Sequence, residues 1–140
     1  MTETEFRVKH SILIEYYQLI EMRLKSICAM LTANEEKGWF ERLDDFEFDP
    51  IGILIRNIRT VQELESIAIF SPEDFAAIDD LRESRNYWAH ECFGGKHPVC
   101  FNKGIVKNQS HAQRINSDYK NAVEWDEKLA NIIRSLHTRE

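Results

Sequence analysis

The sequence predicts an all-α fold: an antiparallel helical bundle of four to five helices with a small β-hairpin insertion before the last helix. Apolar residues recur three and four positions apart over long stretches, which is the period of an amphipathic helix. The 140 residues include only 5 Gly and 3 Pro, so positions that break helices are few. One short β-prone stretch, residues 99–106, surrounds an Asn-Lys-Gly turn signal. We expect a single domain over residues 1–140.

The first predicted helix covers residues 6–32. Glu21 lies beside its apolar seam, and we expect it to pair with Lys25 one turn later, although it could also reach a buried site. The seam alternates spacings of four and three and consists of Leu13, Tyr17, Ile20, Leu24, Ile27 and Leu31.

A short helix is predicted at residues 39–43, followed by a helix with Asp49 as N-cap and Pro50 at its first position. A capping-box pattern at residues 60–63 predicts that this helix restarts or kinks and continues to residue 69.

The last helix is predicted at residues 110–136. Asp126 interrupts its apolar seam, so either this carboxylate pairs with an Arg or His inside the bundle or the register differs from the one assigned. The seam consists of Ile115, Tyr119, Ala122, Leu129, Ile133 and Leu136.

The helix before the hairpin carries the most informative residues. Ser71 is its predicted N-cap, Pro72 its first residue and Asp74 its capping-box partner, and it is expected to end at the Gly pair 94–95. Its second half holds Arg85, Asn86 and His90 beside a buried stripe. These residue types suit a phosphate, because Arg binds it in fork geometry, Asn donates a hydrogen bond and His moves protons near neutral pH. On an ideal α-helix Arg85 and His90 lie roughly 7.5 Å apart along the axis and about 140° apart around it.

The hexapeptide Arg85-Asn86-Tyr87-Trp88-Ala89-His90 resembles the Arg-Asn-x-x-x-His form of the Arg-x4–6-His signature of HEPN domains. A weaker similarity extends to the apolar segment 51–55 and to the long first helix with Glu21 and Lys25. The resemblance implies a small all-α protein that works as a metal-independent endoribonuclease without a cofactor. It implies that Arg85 stabilises the phosphate, Asn86 fixes the scissile group and His90 handles protons or orients the 2′-OH.

The resemblance also implies partners. HEPN ribonucleases are commonly twofold homodimers, act as toxins or antiphage-defence effectors, and are often neutralised by an antitoxin protein. RNA is the expected substrate, and no DNA cleavage is expected because the reaction uses the 2′-OH. In one branch a Tyr two residues after the His is a target of nucleotide modification; this chain has Cys92 there.

Net charge is −6, which argues against a surface devoted wholly to nucleic acid. Residues 92–117 nevertheless contain no acidic residue. Their four cations contribute +4, which leaves −10 for the rest of the chain. This basic segment is a candidate RNA contact, and an ordinary solvated loop explains it equally well. The cations are Lys96, Lys103, Lys107 and Arg114.

Three other interpretations stay open. The motif face can belong to a non-catalytic HEPN-like module that binds a nucleotide or a partner protein. Arg85 can simply pair with Glu83 or Glu91 while His90 caps the helix. The His and Cys residues at 90, 92, 97 and 100 can be zinc ligands, but their spacing matches no standard zinc knuckle, so no metal is expected.

The location is also predicted from the sequence. An acidic, polar start and the lack of a long apolar run predict a cytoplasmic protein with no membrane segment.

Overall fold

A computed structural model describes residues 1–138 of the chain. These residues form helices α1 (Glu3–Thr32), α2 (Trp39–Arg42), α3 (Ile51–Glu65), α4 (Pro72–Asn86) and α5 (Gln109–Thr138). A 3-10 turn (Leu43–Phe46) follows α2, and a π-helical turn (Tyr87–Glu91) follows α4. Strands β1 (Phe101–Asn102) and β2 (Ile105–Val106) pair antiparallel before α5. Helices make up 75% of the structure, which confirms the all-α class with its hairpin.

Helix α1 runs through the centre of the core. It begins at Glu3, three residues before its predicted start, because Thr2 and Glu5 form a capping box. The predicted seam is buried except for Leu31, which is half-buried. The buried side chains of the helices and of the hairpin join in one apolar cluster, in which Trp88 is fully buried.

The two 30-residue helices, α1 and α5, lie side by side and point the same way. Lys9 donates to Asn116 at 2.7 Å, and farther along both helices Arg23 meets Asp126. Their starts lie at one end of the molecule because the hairpin joins the N-terminus: Glu3 N–H donates to Gly104 O at 2.8 Å. Gly104 has a φ of +74°, which favours glycine at this turn.

Helix α3 differs from the prediction at both ends. Pro50, and not Asp49, is the N-cap residue, and no side chain caps this end. The helix neither restarts at Thr60 nor reaches residue 69; it ends at Glu65, where Ser66 turns left-handed with a φ of 54°. The Gln62 side chain explains the ending, because it bonds the backbone of residues 69 and 70 at 2.8–3.1 Å and so turns the chain back.

Both predicted alternatives hold in part for Asp126: the carboxylate is paired, and the register of the seam also differs from the one assigned. Arg23 Nε donates to Asp126 Oδ1 at 2.6 Å, and the two side chains are 30% and 17% exposed. The apolar position that this carboxylate appeared to interrupt is supplied by its neighbour Trp125, which is buried. In the part of the chain that the structure describes, no helix has the length and apolar character needed to cross a membrane.

Candidate functional site

The motif lies where α4 changes from an α-helix into a π-helical turn. The capping box of Ser71 and Asp74 at the start of α4 is as predicted. The prediction of one regular helix as far as the Gly pair is wrong. Cys92 N–H donates to Tyr87 O, five residues back, at 2.9 Å. Gly95 closes the turn: a Cβ there would lie 2.9 Å from Glu91 O, so this position needs glycine.

A histidine from α1 stabilises this wider turn. In a regular α-helix the Cys92 amide would donate to Trp88 O; here that carbonyl accepts from His10 Nε2 at 2.8 Å and from Cys92 Sγ at 3.2 Å instead. The His10 ring packs against Phe6 and Phe93, which also contact each other. A side chain from another helix thus satisfies this backbone acceptor, and no local pattern around His10 indicates the contact.

Trp88 anchors the same turn from the other side. Its indole Nε1 donates to Asp118 Oδ2 on α5 at 2.7 Å, while its ring is fully buried. Side chains from α1 and α5 therefore fix the turn on which His90 stands. His90 itself is exposed.

The π-helical turn changes the relation between Arg85 and His90. Each π-type bond encloses one residue more than an α-type bond, so side chains five apart move toward one face. We therefore expect the angle between Arg85 and His90 around the axis to be smaller than on an ideal α-helix. Insertions of this kind occur frequently at functional sites.

Arg85 and Asn86 line an open cleft of about 430 Å³ between the end of α4 and the start of α3. Arg56 of α3 and Arg82 of α4 line the same cleft. The structure thus joins two of the three predicted catalytic residues in one arginine-rich cleft. His90 is not among the residues that line this cleft.

Glu21 of α1 reaches Arg85. Its Oε2 lies 3.6 Å from Arg85 Nη2, and its Oε1 lies 3.9 Å from Lys25 Nζ, so the predicted pair with Lys25 is present but long. Within residues 1–138 Arg85 forms no ion pair with Glu83 or Glu91. The Arg85 side chain keeps a third of its surface exposed, so it can still bind an anion from solvent.

The four cations of the predicted basic segment lie in two separate places. Lys96 and Arg114 line a second cleft, of about 590 Å³, together with His97 and His111, whereas Lys103 and Lys107 lie on the hairpin outside it. The Arg114 guanidinium stands 3.7 Å over the Tyr87 ring. Burial raises the pKa of the Tyr87 hydroxyl, and the charge of Arg114 only partly opposes this shift.

The four candidate zinc ligands do not come together. Cys92 is buried against Trp88, whereas the side chains at 90, 97 and 100 are exposed. Burial raises the pKa of the Cys92 thiol, which opposes the thiolate form that binds metals. Over residues 1–138 no three His, Cys, Asp or Glu side chains are grouped in a way that could hold a metal ion.

Function must be inferred from these residues alone. The chain was compared with family models, with curated proteins and with solved structures, and none of the three comparisons gave a match.

Proposed function

We propose that the chain is a metal-independent endoribonuclease of the HEPN type that acts as a toxin or an antiphage-defence effector. The observation that supports this best is the joint position of Arg85 and Asn86. Both line one open, arginine-rich cleft. The exposed His90 lies one turn farther along, on the π-helical turn that contacts from His10 and Trp88 support. A cation, a neutral donor and a proton-transfer group are the types of group that RNA cleavage requires.

The reaction assigns a role to each residue. The ribose 2′-oxygen attacks the adjacent phosphorus, the bond from phosphorus to the 5′-oxygen breaks, and a 2′,3′-cyclic phosphate forms. Arg85 stabilises the negative charge that develops on the phosphoryl oxygens, and Asn86 holds the scissile group by a hydrogen bond. His90 takes the proton of the 2′-OH or gives one to the leaving 5′-oxygen.

One chain offers one motif His, whereas the reaction uses both a base and an acid. A twofold homodimer would supply the second His and Arg. Phe93, three residues after His90, is 47% exposed and is an apolar group available for such an interface. An antitoxin protein that covers the motif face is a further expected partner.

The alternative function, a non-catalytic module that binds a nucleotide or a partner protein, is favoured by the cleft alone. Arg56, Arg82 and Arg85 can bind a phosphate there whether or not His90 transfers protons. The two functions differ in one respect: only the ribonuclease needs His90 and the 2′-OH.

The test uses one RNA sequence in three forms: all-ribose, all-deoxy, and ribose with a single 2′-deoxy nucleotide at the cleaved position. Each is incubated with the purified protein in EDTA, and product ends are analysed. We expect cleavage of the all-ribose strand only, with a 2′,3′-cyclic phosphate end. Cleavage of the DNA form or of the singly substituted strand at the same bond would contradict the mechanism. Binding of all three forms without cleavage would favour the non-catalytic module.

A further inference from the structure

A groove runs from the Arg85 cleft along the contact between α3 and α4. The two helices run antiparallel, so the start of α3 faces the end of α4. The cleft lined by Arg85 and Asn86, here called the Arg85 cleft, adjoins another cleft of about 500 Å³, distinct from the one at Lys96 and Arg114. Both the Arg85 cleft and this neighbour are lined by Gly52, Arg56 and Arg82. The shared residues make the two clefts neighbours, and we call the two together the α3/α4 groove.

Four arginines line the α3/α4 groove. Arg56 and Arg59 are three residues apart on α3, and Arg82 and Arg85 are three residues apart on α4, so each pair spans one helical turn on one face. Asp79 is the one acidic residue among those that line the groove. In a chain of net charge −6, this is a local concentration of positive charge.

These arginines keep hydrogen-bonding capacity for a ligand. Arg82 Nη2 binds Asp79 at 2.8 Å, yet the Arg82 side chain stays 42% exposed. Over residues 1–138 neither Arg56 nor Arg59 forms an ion pair, and the Arg59 guanidinium lies 4.5 Å from the Phe75 ring centroid. Guanidinium forks match phosphate oxygens and are always charged.

Gly52 of α3 lies beside the Arg82 guanidinium of α4. A Cβ at this position would lie 3.4 Å from Arg82 Nη1, which is ordinary contact. The start of α3, with backbone N–H groups that no preceding turn satisfies, lies at the same end as Arg85.

We infer that the α3/α4 groove binds the RNA strand next to the cleaved bond through its backbone phosphates, an inference that rests on the proposed function. Arg85 holds the scissile phosphate, and Arg82, Arg56 and Arg59 contact the phosphates that follow. RNA is favoured over an acidic protein segment because the groove begins at the motif residues Arg85 and Asn86. Phosphate contacts of this type position a strand without reading its sequence.

The test measures binding separately from cleavage. A fluorescent, fully 2′-O-methylated RNA, which cannot be cut by this mechanism, is titrated with protein at several salt concentrations. The variants are Arg56→Gln alone and the double variant Arg56→Gln with Arg59→Gln. The matched control is Lys120→Gln with Arg134→Gln, which removes the same charge from exposed positions of α5 that do not line the groove. Urea unfolding verifies that each variant is folded, and Arg56→Gln remains informative if loss of the Phe75 contact destabilises the double variant.

We expect the groove double variant to bind about tenfold more weakly or worse, with a salt slope reduced by about 1.4, since each lost phosphate contact removes about 0.7 for a single strand. In the single variant the slope should fall by about half as much as in the double variant, and in the α5 control it should stay at the wild-type value. Equal affinity and slope in groove and control variants would overturn the inference, as would a wild-type protein that does not bind this RNA. If wild-type protein binds RNA through the groove but cuts no RNA, the proposed function fails, and only phosphate binding by the groove stands. If it cuts RNA and the groove variants keep the wild-type KM and slope, the inference fails alone.

Discussion

His10 Nε2 donates a hydrogen bond of 2.8 Å to Trp88 O, and this contact joins helix α1 to the turn that carries His90. The two residues are 78 positions apart in the chain. The carbonyl is free for His10 because Cys92 N–H bonds Tyr87 O instead. The geometry of the motif therefore depends on a residue outside it.

We predict that His10→Ala lowers the rate of RNA cleavage by about 10- to 100-fold without altering a residue of the motif, because small misplacements of catalytic groups have effects of that size. Amide hydrogen exchange at Cys92 should speed up, since the wider turn loses its support. His10→Gln can still donate a hydrogen bond and should restore part of the rate. The control is Ser11→Ala, at the neighbouring exposed position. A folded His10→Ala protein with the wild-type rate and exchange would refute a positioning role for His10.

Glu21 is predicted to have opposite effects on substrate binding and on catalysis. Its carboxylate lies 3.6 Å from Arg85 Nη2, where it orients the guanidinium but repels a phosphate. Glu21→Gln should therefore lower KM by about two- to fivefold, the range expected for a partly exposed ion pair, and should also lower kcat. Steady-state kinetics measure both, with the exposed Glu15→Gln on the same helix as control. A raised KM with unchanged kcat would be the opposite result.

The ion pair between Arg23 and Asp126 should stabilise the packing of α1 on α5. Both side chains are partly buried, and their contact is 2.6 Å. We expect Arg23→Ala or Asp126→Ala to lower the free energy of unfolding by about 1–2 kcal/mol, with a coupling of about 1 kcal/mol in the double-mutant cycle. The matched control is the exposed pair of Arg7 and Glu3 at 3.1 Å, where the coupling should be below about 0.5 kcal/mol. Urea denaturation of the six variants and wild type tests this, and equal couplings would show that burial adds nothing.

Asp74 should make stability depend on pH. Burial acts to raise the pKa of this carboxyl, but hydrogen bonds from Lys128 and from Ser71 outweigh burial, so the pKa lies below its ordinary value. A lowered pKa in the folded state means that the ionised carboxylate stabilises the fold above the unfolded pKa of about 3.9, and that this contribution is lost as pH falls through the folded value. In Asp74→Asn the side-chain oxygen can still accept from the Ser71 N–H. This change should lower the free energy of unfolding by about 0.5–1 kcal/mol at pH 7, and hardly at all at a pH below the folded-state pKa of Asp74. A difference that is equally large at both ends of this pH range would contradict the charge effect.

The long helices could be predicted because their apolar spacing is local information. The span of α5 and the capping box of α4 follow from residues within a few turns. The end of α3 could not be predicted, since it depends on Gln62 bonding a loop seven and eight residues away. The partner of Asp126 is 103 positions distant, so the sequence could leave only two alternatives open.

The candidate site likewise has features that the sequence reveals and features that depend on distant residues. Arg85, Asn86 and His90 are close in sequence, so their types and spacing could be recognised. The π-helical turn depends on His10, and the arginine-rich cleft depends on how Arg56 of α3 packs against α4. Nothing in the local pattern at either residue distinguishes it from an ordinary half-buried or surface position of an amphipathic helix.

The proposed function assigns RNA cleavage to Arg85 and His90. We would compare wild-type protein with Arg85→Ala and His90→Ala on one RNA in EDTA, with Arg134→Ala and His137→Ala, at exposed positions of α5, as matched controls of the same residue types. We predict cleavage to a 2′,3′-cyclic phosphate by wild type and both controls, and a loss of at least about 100-fold in each motif variant. Equal cleavage by all five folded proteins would contradict the account, because the activity would then not depend on the motif.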